Sequence, residues 1–191
     1  MESLAQMQTS RNLIHALTIE TQAIQKYTWF AKQAKKDGYE QMSAIFLEVA
    51  GQKQSHCKTL FRFLEGVTVD INAPFSIPPV SSTLDNLKVS IATENEEANE
   101  FYVQFEKTAW DEGYKQIATK FKLFRQIKLF YAGRFEVFAE NIINDRVFRR
   151  EKKVKWICRK CGLIYESERA LKNCPGCEHP QAYFEILAEN Y

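Results

Sequence analysis

Glycine and proline are scarce in this chain, which holds seven glycines and five prolines among its 191 residues. Three of the five prolines fall in one short segment, GVTVDINAPFSIPPVSST, at residues 66–83. Elsewhere in residues 10–148 there are few helix breakers, so long helices are favoured. The segment at residues 66–83 has no helical period and indicates a connection between two helical halves.

Long apolar runs are also missing. No stretch approaches the roughly 20 consecutive apolar residues that span a bilayer as a helix. Residues 1–15 lack the basic start and apolar core of a secretory signal peptide. From these features we expect a soluble, cytoplasmic protein with no membrane partner.

A large net charge is absent too, because 24 Asp and Glu residues balance 26 Lys and Arg residues to a formal net charge of +2. A nucleic-acid-binding protein usually carries a strongly basic surface, so we expect no nucleic-acid partner. Cysteine is rare, with five residues, and four of these form two C-x-x-C pairs near the C-terminus. In a reducing compartment this pattern indicates metal binding rather than disulfides.

Apolar residues recur at steps of three and four in four long runs, as along one face of an amphipathic helix. Asp37-Gly38 and Glu112-Gly113 break these runs into two predicted antiparallel hairpins. Residues 66–83, when extended, can cover the length of a helix of about 25 residues. The sequence therefore predicts a mainly α four-helix bundle with a long crossover. The four stripes contain Leu13, Leu17, Ile24, Tyr27 and Ala31; Met42, Ile45, Val49, Leu60 and Phe63; Leu84, Leu87, Ile91, Ala98, Phe101 and Phe105; and Ile117, Phe121, Phe124, Phe135 and Phe138.

The residue pattern changes at Arg149. Residues 149–191 contain short β-prone pieces and turn residues around the cysteines. A piece of this size is too short to fold well by hydrophobic burial alone and needs a metal to hold it together. We therefore predict two domains, a helical bundle at residues 1–148 and a small metal domain at residues 149–191.

The helical part contains an internal repeat with an offset of 75 residues. Tyr27-Thr-Trp-Phe30 matches Tyr102-Val-Gln-Phe105, and residues 37–46 match residues 112–121. So many matches at one offset indicate a duplicated helical hairpin. The two halves can therefore be compared position by position.

Ionisable residues interrupt the apolar stripes of all four predicted helices near the middle of the bundle. Because such groups are rarely buried without a partner, we expect them to converge there. The repeat relates Lys53 to Lys128 and His56 to Tyr131 on the second and fourth helices. The first and third helices contribute Glu20, Glu94 and, at the edge of the stripe, Glu97.

The two halves differ in length by one residue. Glu20 precedes Tyr27 by seven residues, whereas Glu94 precedes Tyr102 by eight. An extra residue within a helix can be accommodated as a π-bulge, which is common at functional sites. A register difference without a bulge is equally compatible with the spacing. In either case, we expect the two tyrosines to donate hydrogen bonds to the glutamates.

The cysteines form a predicted metal site. Twelve residues separate the pair Cys158 and Cys161 from the pair Cys174 and Cys177. Two residues between thiolates let both sulfurs point at one ion, and four thiolates suit tetrahedral iron or zinc. Flanking aromatic residues favour iron, although zinc uses the same spacing. These aromatics are Trp156, Tyr165, Tyr183 and Phe184.

Several short motifs along the whole chain occur together. They are Glu20 followed by Gln22-Ala23 and Tyr27; DGYEQ at 37–41 and EGYKQIA at 112–118; Glu94-x-x-Glu97; Trp156-x-Cys158-Arg-x-Cys161-Gly; Cys174-Pro-x-Cys177-x-His-Pro; Ala182-Tyr-Phe-Glu; and Glu189-Asn-Tyr. In this combination the chain resembles the rubrerythrin family. The resemblance implies a ferritin-like four-helix bundle followed by a small β-rich, rubredoxin-like domain. It also implies a homodimer or higher oligomer that reduces hydrogen peroxide at a di-iron carboxylate site, with electrons from a donor reductase passing through the rubredoxin iron.

The resemblance fails at part of the di-iron site. Glu20, His56, Glu94 and Glu97 match the ligand positions of the family. Lys53 and Lys128 stand where the family has glutamates, and Tyr131 stands where it has a histidine. An ammonium group has no lone pair to offer a metal, and it repels a cation. We therefore expect the lysines to replace the charge of the metals and the bundle to lack an ordinary di-iron centre.

Three functions are compatible with these residues, and whether the protein is an enzyme stays open. The first is an electron-transfer or binding protein without catalysis, which holds one iron at the cysteines, with zinc as the alternative metal. The second is an NADH-linked peroxide reductase in oxidative-stress defence, with metal held in the bundle by the four residual ligands. The third is a new activity in which Lys53, Lys128 and Tyr131 are the candidate catalytic residues.

Each bundle residue also has a plain structural interpretation. The lysines can neutralise glutamates that remain after loss of the metals. His56 can be a core histidine bonded to a carboxylate, and Tyr131 can be a packed aromatic with a satisfied hydroxyl. Cys57 follows His56 and should point off the apolar stripe, as a small packed thiol.

Overall fold

The computed structural model describes residues 4–68 and 77–190. Four long helical segments form two antiparallel hairpins, as the sequence predicts. Part of the predicted crossover, residues 69–76, lies outside the described residues. The helices are α1 (Gln8–Lys36), α2 (Glu40–Leu64), α3 (Thr83–Glu96), α4 (Tyr102–Asp111) and α5 (Lys115–Ile143), with a 3-10 turn at Leu4–Gln6 before α1. Within the described residues, no helix is both long and apolar enough to cross a membrane.

The two hairpin turns are built alike. Gly38 and Gly113 both have a φ of +85°, a left-handed conformation that favours glycine. The N–H of the residue after each glycine donates 2.8 Å back into the preceding helix, from Tyr39 to the carbonyl of Ala34 in the first hairpin. Both hairpin breaks predicted from the sequence are confirmed.

Each hairpin turn also caps a helix of the other half. Asp37 Oδ2 accepts hydrogen bonds from the backbone N–H of Thr83 at 2.8 Å and from its hydroxyl at 2.6 Å. Glu112 Oε2 accepts the equivalent bonds from Thr9 at 2.9 and 2.6 Å. A carboxylate here satisfies free N–H groups and complements the positive end of the helix dipole. These caps fix the two hairpins against each other at both ends of the bundle.

Two aromatic cores fill the bundle, and the repeat relates them. In the first, the rings of Tyr27 and Phe46 lie 5.7 Å apart. In the second, the rings of Tyr102 and Phe121 lie 5.9 Å apart. Full burial of an aromatic side chain contributes roughly 1.5–3 kcal/mol. The two tyrosine hydroxyls point away from their own cores towards a polar cluster in the middle of the bundle.

A π-helical turn at Glu97–Phe101 joins α3 to α4. It absorbs the extra residue between Glu94 and Tyr102, so the π-bulge predicted from the repeat is confirmed. The Arg125 side chain on α5 donates a 3.1 Å hydrogen bond from Nε to the carbonyl of Ala98 within this turn. The turn lets Glu94, Glu97 and Tyr102 all lie against the centre of the bundle.

The C-terminal part forms a small antiparallel sheet in the order β2-β1-β3. Its strands are β1 (Arg149–Cys158), β2 (Ile164–Arg169) and β3 (Phe184–Ile186), with a 3-10 turn at Gln181–Tyr183. Trp156 and Phe184 are fully buried in its core, as the predicted aromatic shell requires. The Phe148 ring stacks on Tyr39 at 6.2 Å, which places the sheet beside the α1–α2 turn.

Candidate functional site

The four cysteines lie together in two turns of the small sheet. Their Sγ atoms all lie within 4.8 Å of one another. Cys158 and Cys177 are 3.8 Å apart, and Cys161 and Cys174 are 3.5 Å apart. A tetrahedral ion with metal–sulfur bonds of about 2.3 Å requires sulfur separations of about 3.8 Å. The residues present therefore fit a single tetrahedral metal ion.

The pKa values of the cysteines shift in both directions. Burial raises the pKa of Cys174, but hydrogen bonds from the N–H of Gly176, from Cys161 and from the N–H of Cys177 outweigh it and lower that pKa to about 7. A hydrogen bond from the N–H of His179 lowers the pKa of Cys177, but burial and hydrogen bonds with the other three cysteines outweigh it and raise that pKa to about 12.

A methyl group at Gly176 would lie 3.4 Å from the sulfur of Cys161 and 3.8 Å from that of Cys174, so glycine leaves room for the sulfurs. Cys161 is exposed while Cys158 and Cys174 are buried, so the site reaches the surface on one side.

A second cluster of charged side chains lies buried in the middle of the bundle. The Nζ of Lys53 lies 2.8 Å from Oε1 of Glu94 and 3.3 Å from Oε2 of Glu20. The Nζ of Lys128 lies 2.6 Å from Oε1 of Glu20, 2.6 Å from Oε2 of Glu97 and 3.4 Å from Oε2 of Glu94. Both lysine side chains are 0% exposed. The structure thus brings together in one cluster five of the seven residues that the sequence placed there.

Hydrogen bonds from two tyrosine hydroxyls to the glutamates complete this cluster and connect the two halves of the repeat. Tyr27 on α1 donates to Oε1 of Glu94 at 2.5 Å, and Tyr102 on α4 donates to Oε1 of Glu20 at 2.9 Å. Each tyrosine therefore donates a hydrogen bond to the glutamate of the other half of the repeat, and the predicted hydrogen bonds are confirmed. Nδ1 of His56 lies 3.1 Å from Oε2 of Glu20, as expected for a core histidine bonded to a carboxylate.

The electrostatics of the cluster follow from these contacts. Burial raises the pKa of Glu20, but the ammonium groups of Lys128 and Lys53 outweigh it and hold that pKa well below its usual range. The same balance lowers the pKa of Glu94. Burial dominates at Glu97, and its pKa is raised. The three glutamates attract Lys128 strongly enough to overcome burial and raise the pKa of this lysine well above its ordinary value.

The bundle residues do not fit a di-iron centre. Three carboxylates carry a formal charge of −3, and Lys53 and Lys128 return +2, so the cluster has a formal charge of −1 with His56 neutral. Each glutamate already binds an ammonium group at 2.6–2.8 Å. Two divalent ions would bring two more charges each into a space that holds two ammonium groups. Among the described residues, only the four cysteines form a compact group of potential metal ligands.

The candidate catalytic residue Tyr131 lies at the edge of this cluster. Its ring lies 5.4 Å from Nζ of Lys53 and 6.4 Å from the ring of His56. Burial raises its pKa, and the nearby Glu20 and Glu94 carboxylates add to that effect. The buried ring agrees with the predicted packed aromatic. No hydrogen bond of its hydroxyl is seen within the described residues, so the satisfied hydroxyl that we expected is not confirmed. The Cys57 thiol points away from the cluster, 3.6 Å from Oγ1 of Thr21.

Two residues near the cluster were missed by the sequence analysis. Arg125 supports the π-helical turn, and Lys26 lies on α1 close enough to Glu97 and Glu94 to interact with them. Both occupy positions at the rim of an apolar stripe, where a long basic side chain is normally solvated. Their roles depend on the bulge and on the spacing of α1 and α3, which no local pattern encodes.

The bundle with its central carboxylates and the tetrathiolate sheet define a class, the ferritin-like proteins that carry a rubredoxin-like domain. The sequence profile of rubrerythrin matches residues 11–128, and that of the rubrerythrin rubredoxin-like domain matches residues 156–185. The chain belongs to the rubrerythrin family.

Relatives with known names match over the full chain. The rubrerythrin of Nitratidesulfovibrio vulgaris is 43% identical and is matched over 100% of both chains. The rubrerythrin of Porphyromonas gingivalis is 40% identical over 100% of this chain and 95% of its own. Among solved structures, fully reduced nigerythrin superimposes with a TM-score of 0.64 and 26% identity, covering 94% of this chain and 86% of that one. The bacterioferritin of Rhodobacter capsulatus shares the fold at a TM-score of 0.63 and 18% identity, covering 77% and 90%.

Proposed function

We propose that this protein is a rubrerythrin-type redox protein that carries single electrons at its four-cysteine site. We further propose that its helical bundle holds no di-iron centre. The observation that carries the proposal is the double ion pairing of the buried cluster. Lys53 and Lys128 lie within 2.6–3.4 Å of the three glutamates that would otherwise bind metal. A lysine at both repeat-related positions maintains the charge balance of the buried glutamates.

Iron is the metal we propose for the cysteines. The sulfur separations fit iron or zinc alike, and the preference for iron rests on the redox character of the family and on the aromatic shell of Trp156, Tyr165 and Phe184. Iron held there by four thiolates would supply one-electron transfer. The protein excludes water from Cys158 and Cys174 by burial and leaves Cys161 exposed towards a partner.

The surroundings of this site suggest its partners. Reduced cysteines are maintained in the cytoplasm, which supports a cytoplasmic location. The exposed Cys161 side of the sheet supports docking of an electron-donor reductase. A homodimer is supported by an unpartnered apolar stripe on α5, formed by Leu123, Phe130 and Val137 at intervals of seven residues.

A peroxide reductase is the second candidate function. It is favoured by retention of Glu20, Glu94, Glu97 and His56 at positions where the family binds metal. It requires that metal enter the cluster despite the two lysines. A catalytic site of Lys53, Lys128 and Tyr131 is a third possibility, in which the buried ammonium groups act without metal.

Metal analysis of protein grown with ample iron tests the proposal directly. We expect about one iron per chain and a visible spectrum with thiolate-to-iron absorption. We also expect no acceleration of NADH-dependent peroxide consumption when a suitable reductase is supplied. About three irons per chain would contradict the proposal and favour peroxide reduction, and zinc alone would contradict the redox role of the cysteines.

A further inference from the structure

A groove with a volume of about 780 Å³ separates α1 from α3. Its volume lies within the range of small-molecule sites, which are concave and mostly apolar. The groove lies on a different face from the cysteine sheet, and the electron-transfer role proposed above does not use it.

Residues of α1 and α3 line the two sides of this groove. They include two small side chains, Ala23 on α1 and Ala92 on α3. Ile19 and Phe30 form a buried apolar floor, at 6% and 1% exposure. Trp29 forms part of the rim and is 48% exposed. The groove is therefore an elongated apolar channel with one side open to solvent.

Lys26 is the cationic group of this channel. Its side chain is half-buried, and its ammonium lies 5.2 Å from the centre of the Tyr27 ring. Within the described residues, no carboxylate oxygen lies within 4.0 Å of this ammonium. Burial lowers the pKa of Lys26, and the more distant Glu97 and Glu94 only partly offset this effect. A half-buried ammonium without a close anion is unfavourable, and a carboxylate next to it would stabilise it.

The acidic residues that line the groove do not remove the preference of Lys26 for an anionic ligand. Glu97 is already bound to Lys128 at 2.6 Å, which occupies its Oε2 atom. Glu96 is exposed to solvent at the rim, where water screens its charge. Among the described residues that line the groove, a cationic head group would find no buried carboxylate without a partner, whereas an anionic head group would find Lys26.

We propose that this groove binds an amphipathic carboxylate, with its apolar chain along the Ile19–Phe30 floor and its carboxylate at Lys26. The apolar floor suits an alkyl chain, and the exposed rim at Trp29 provides an entrance. Such a ligand would bury apolar surface and give Lys26 a close anion, which the residues at 4–68 and 77–190 do not provide.

Calorimetric titration of the full-length, iron-loaded protein with decanoate tests this assignment, with decanol as a ligand of the same chain length and no charge. We expect saturable binding of decanoate and about tenfold weaker binding of decanol. Lys26→Met should weaken decanoate binding about tenfold and leave decanol unchanged. Lys36→Met removes the same charge from an exposed position on the same helix, and it should leave both affinities unchanged.

Two further variants locate the ligand. Ala92→Phe fills the groove from an exposed position and should abolish binding of both compounds. Decanoate should also change the tryptophan fluorescence, and the change should be lost in Trp29→Phe but kept in Trp110→Phe, which lies elsewhere and is 60% exposed.

Several results would overturn the proposal. Equal affinity for decanoate and decanol, or decanoate binding that survives Lys26→Met or Ala92→Phe unchanged, would show that the groove and Lys26 are not the site. Absence of saturable binding would do the same. If light scattering shows that Ala92→Phe dissociates a dimer, the groove is a subunit interface and not a ligand site.

Discussion

The ammonium nitrogen of Lys128 lies 2.6 Å from Oε1 of Glu20, and both side chains are 0% exposed. On the surface of α4, Lys107 lies at the same distance, 2.6 Å, from Asp111, with the two side chains 69% and 57% exposed. The two pairs share this distance but differ in burial and in the number of carboxylates at the lysine, which is three for Lys128 and one for Lys107. Comparing them therefore tests the buried network against an exposed ion pair.

Removal of Lys128 is predicted to destabilise the protein severely. Lys128→Met leaves three buried carboxylates with one lysine, and we expect the free energy of unfolding to fall by about 3–5 kcal/mol. Lys53→Met should have a smaller effect in the same direction, because Lys53 contacts two glutamates and Lys128 contacts three. Denaturant unfolding of the three proteins measures these differences.

The surface pair provides the control for that experiment. Lys107→Met should change the free energy of unfolding by about 0–1 kcal/mol, since exposed ion pairs are screened by water. Equal losses in Lys107→Met and Lys128→Met would mean that the buried cluster is not the stabilising network described above.

Acid should remove the contribution of Glu20 but not that of Glu97. The pKa of Glu20 is lowered in the folded protein, so its contribution is complete above the ordinary carboxyl pKa of about 4.3 and is lost as the pH falls through the folded value. The pKa of Glu97 is raised, so its contribution is present at low pH and is lost as the pH rises through the folded value. At neutral pH, Glu20→Gln should therefore destabilise the protein much more than Glu97→Gln.

Unfolding measured across the pH range checks this contrast. The gap in stability between wild type and Glu20→Gln should narrow as the solution becomes acidic. Glu97→Gln keeps an amide oxygen for Lys128 and should lie close to wild type at neutral pH. A larger loss at neutral pH in Glu97→Gln than in Glu20→Gln would contradict the pKa directions.

The two repeat-related tyrosines should have matching effects. Tyr27→Phe and Tyr102→Phe each remove a buried hydrogen bond to a carboxylate, and each should lower the free energy of unfolding by about 1.5–3 kcal/mol. Tyr131→Phe is the control, because its hydroxyl has no hydrogen-bond partner among the described residues. Thermal or denaturant unfolding measures the stability of the three variants. A large loss of unfolding free energy in Tyr131→Phe would contradict its use as a control and show that the Tyr131 hydroxyl stabilises the protein.

Much of the cluster could be predicted from the sequence because its residues follow helical periodicity. Glu20, Lys53, Glu94 and Lys128 interrupt apolar stripes, and a stripe fixes the direction of a side chain in a helix. The one-residue difference between the halves suggested a π-bulge but was equally compatible with a register difference, and the structure shows the π-helical turn. The four cysteines were predictable because two residues between thiolates place both sulfurs at one ion.

Other features depend on distances between helices that are remote in sequence. Ala23 and Ala92 both line the groove between α1 and α3, and neither alanine is unusual in its own helix. Lys26 lines the same groove, so its surroundings also depend on how α1 and α3 pack. The cap that Asp37 provides to Thr83 likewise requires knowledge of how the two hairpins pack.

The α5 stripe leads to a prediction about assembly. Phe130 is 60% exposed and lies midway between Leu123, at 43%, and Val137, at 56%. Gly133 lies beside it, and a methyl group there would meet no atom within 4 Å. A glycine within a helix lowers stability by roughly 1 kcal/mol relative to alanine, and nothing within the described chain requires one here. Close approach of the helix of a second copy would explain it.

Substitution on this stripe tests the proposed homodimer. Phe130→Asp should convert the dimer to a monomer, because a two-fold interface would bury two such charges close together. Trp110→Asp carries the same kind of change at an equally exposed aromatic, 60% exposed, on α4, and it should remain dimeric. Gly133→Leu should also favour the monomer while leaving the helix intact. Sedimentation velocity measures all three, and a Phe130→Asp protein that stays dimeric would move the interface to another face of the bundle.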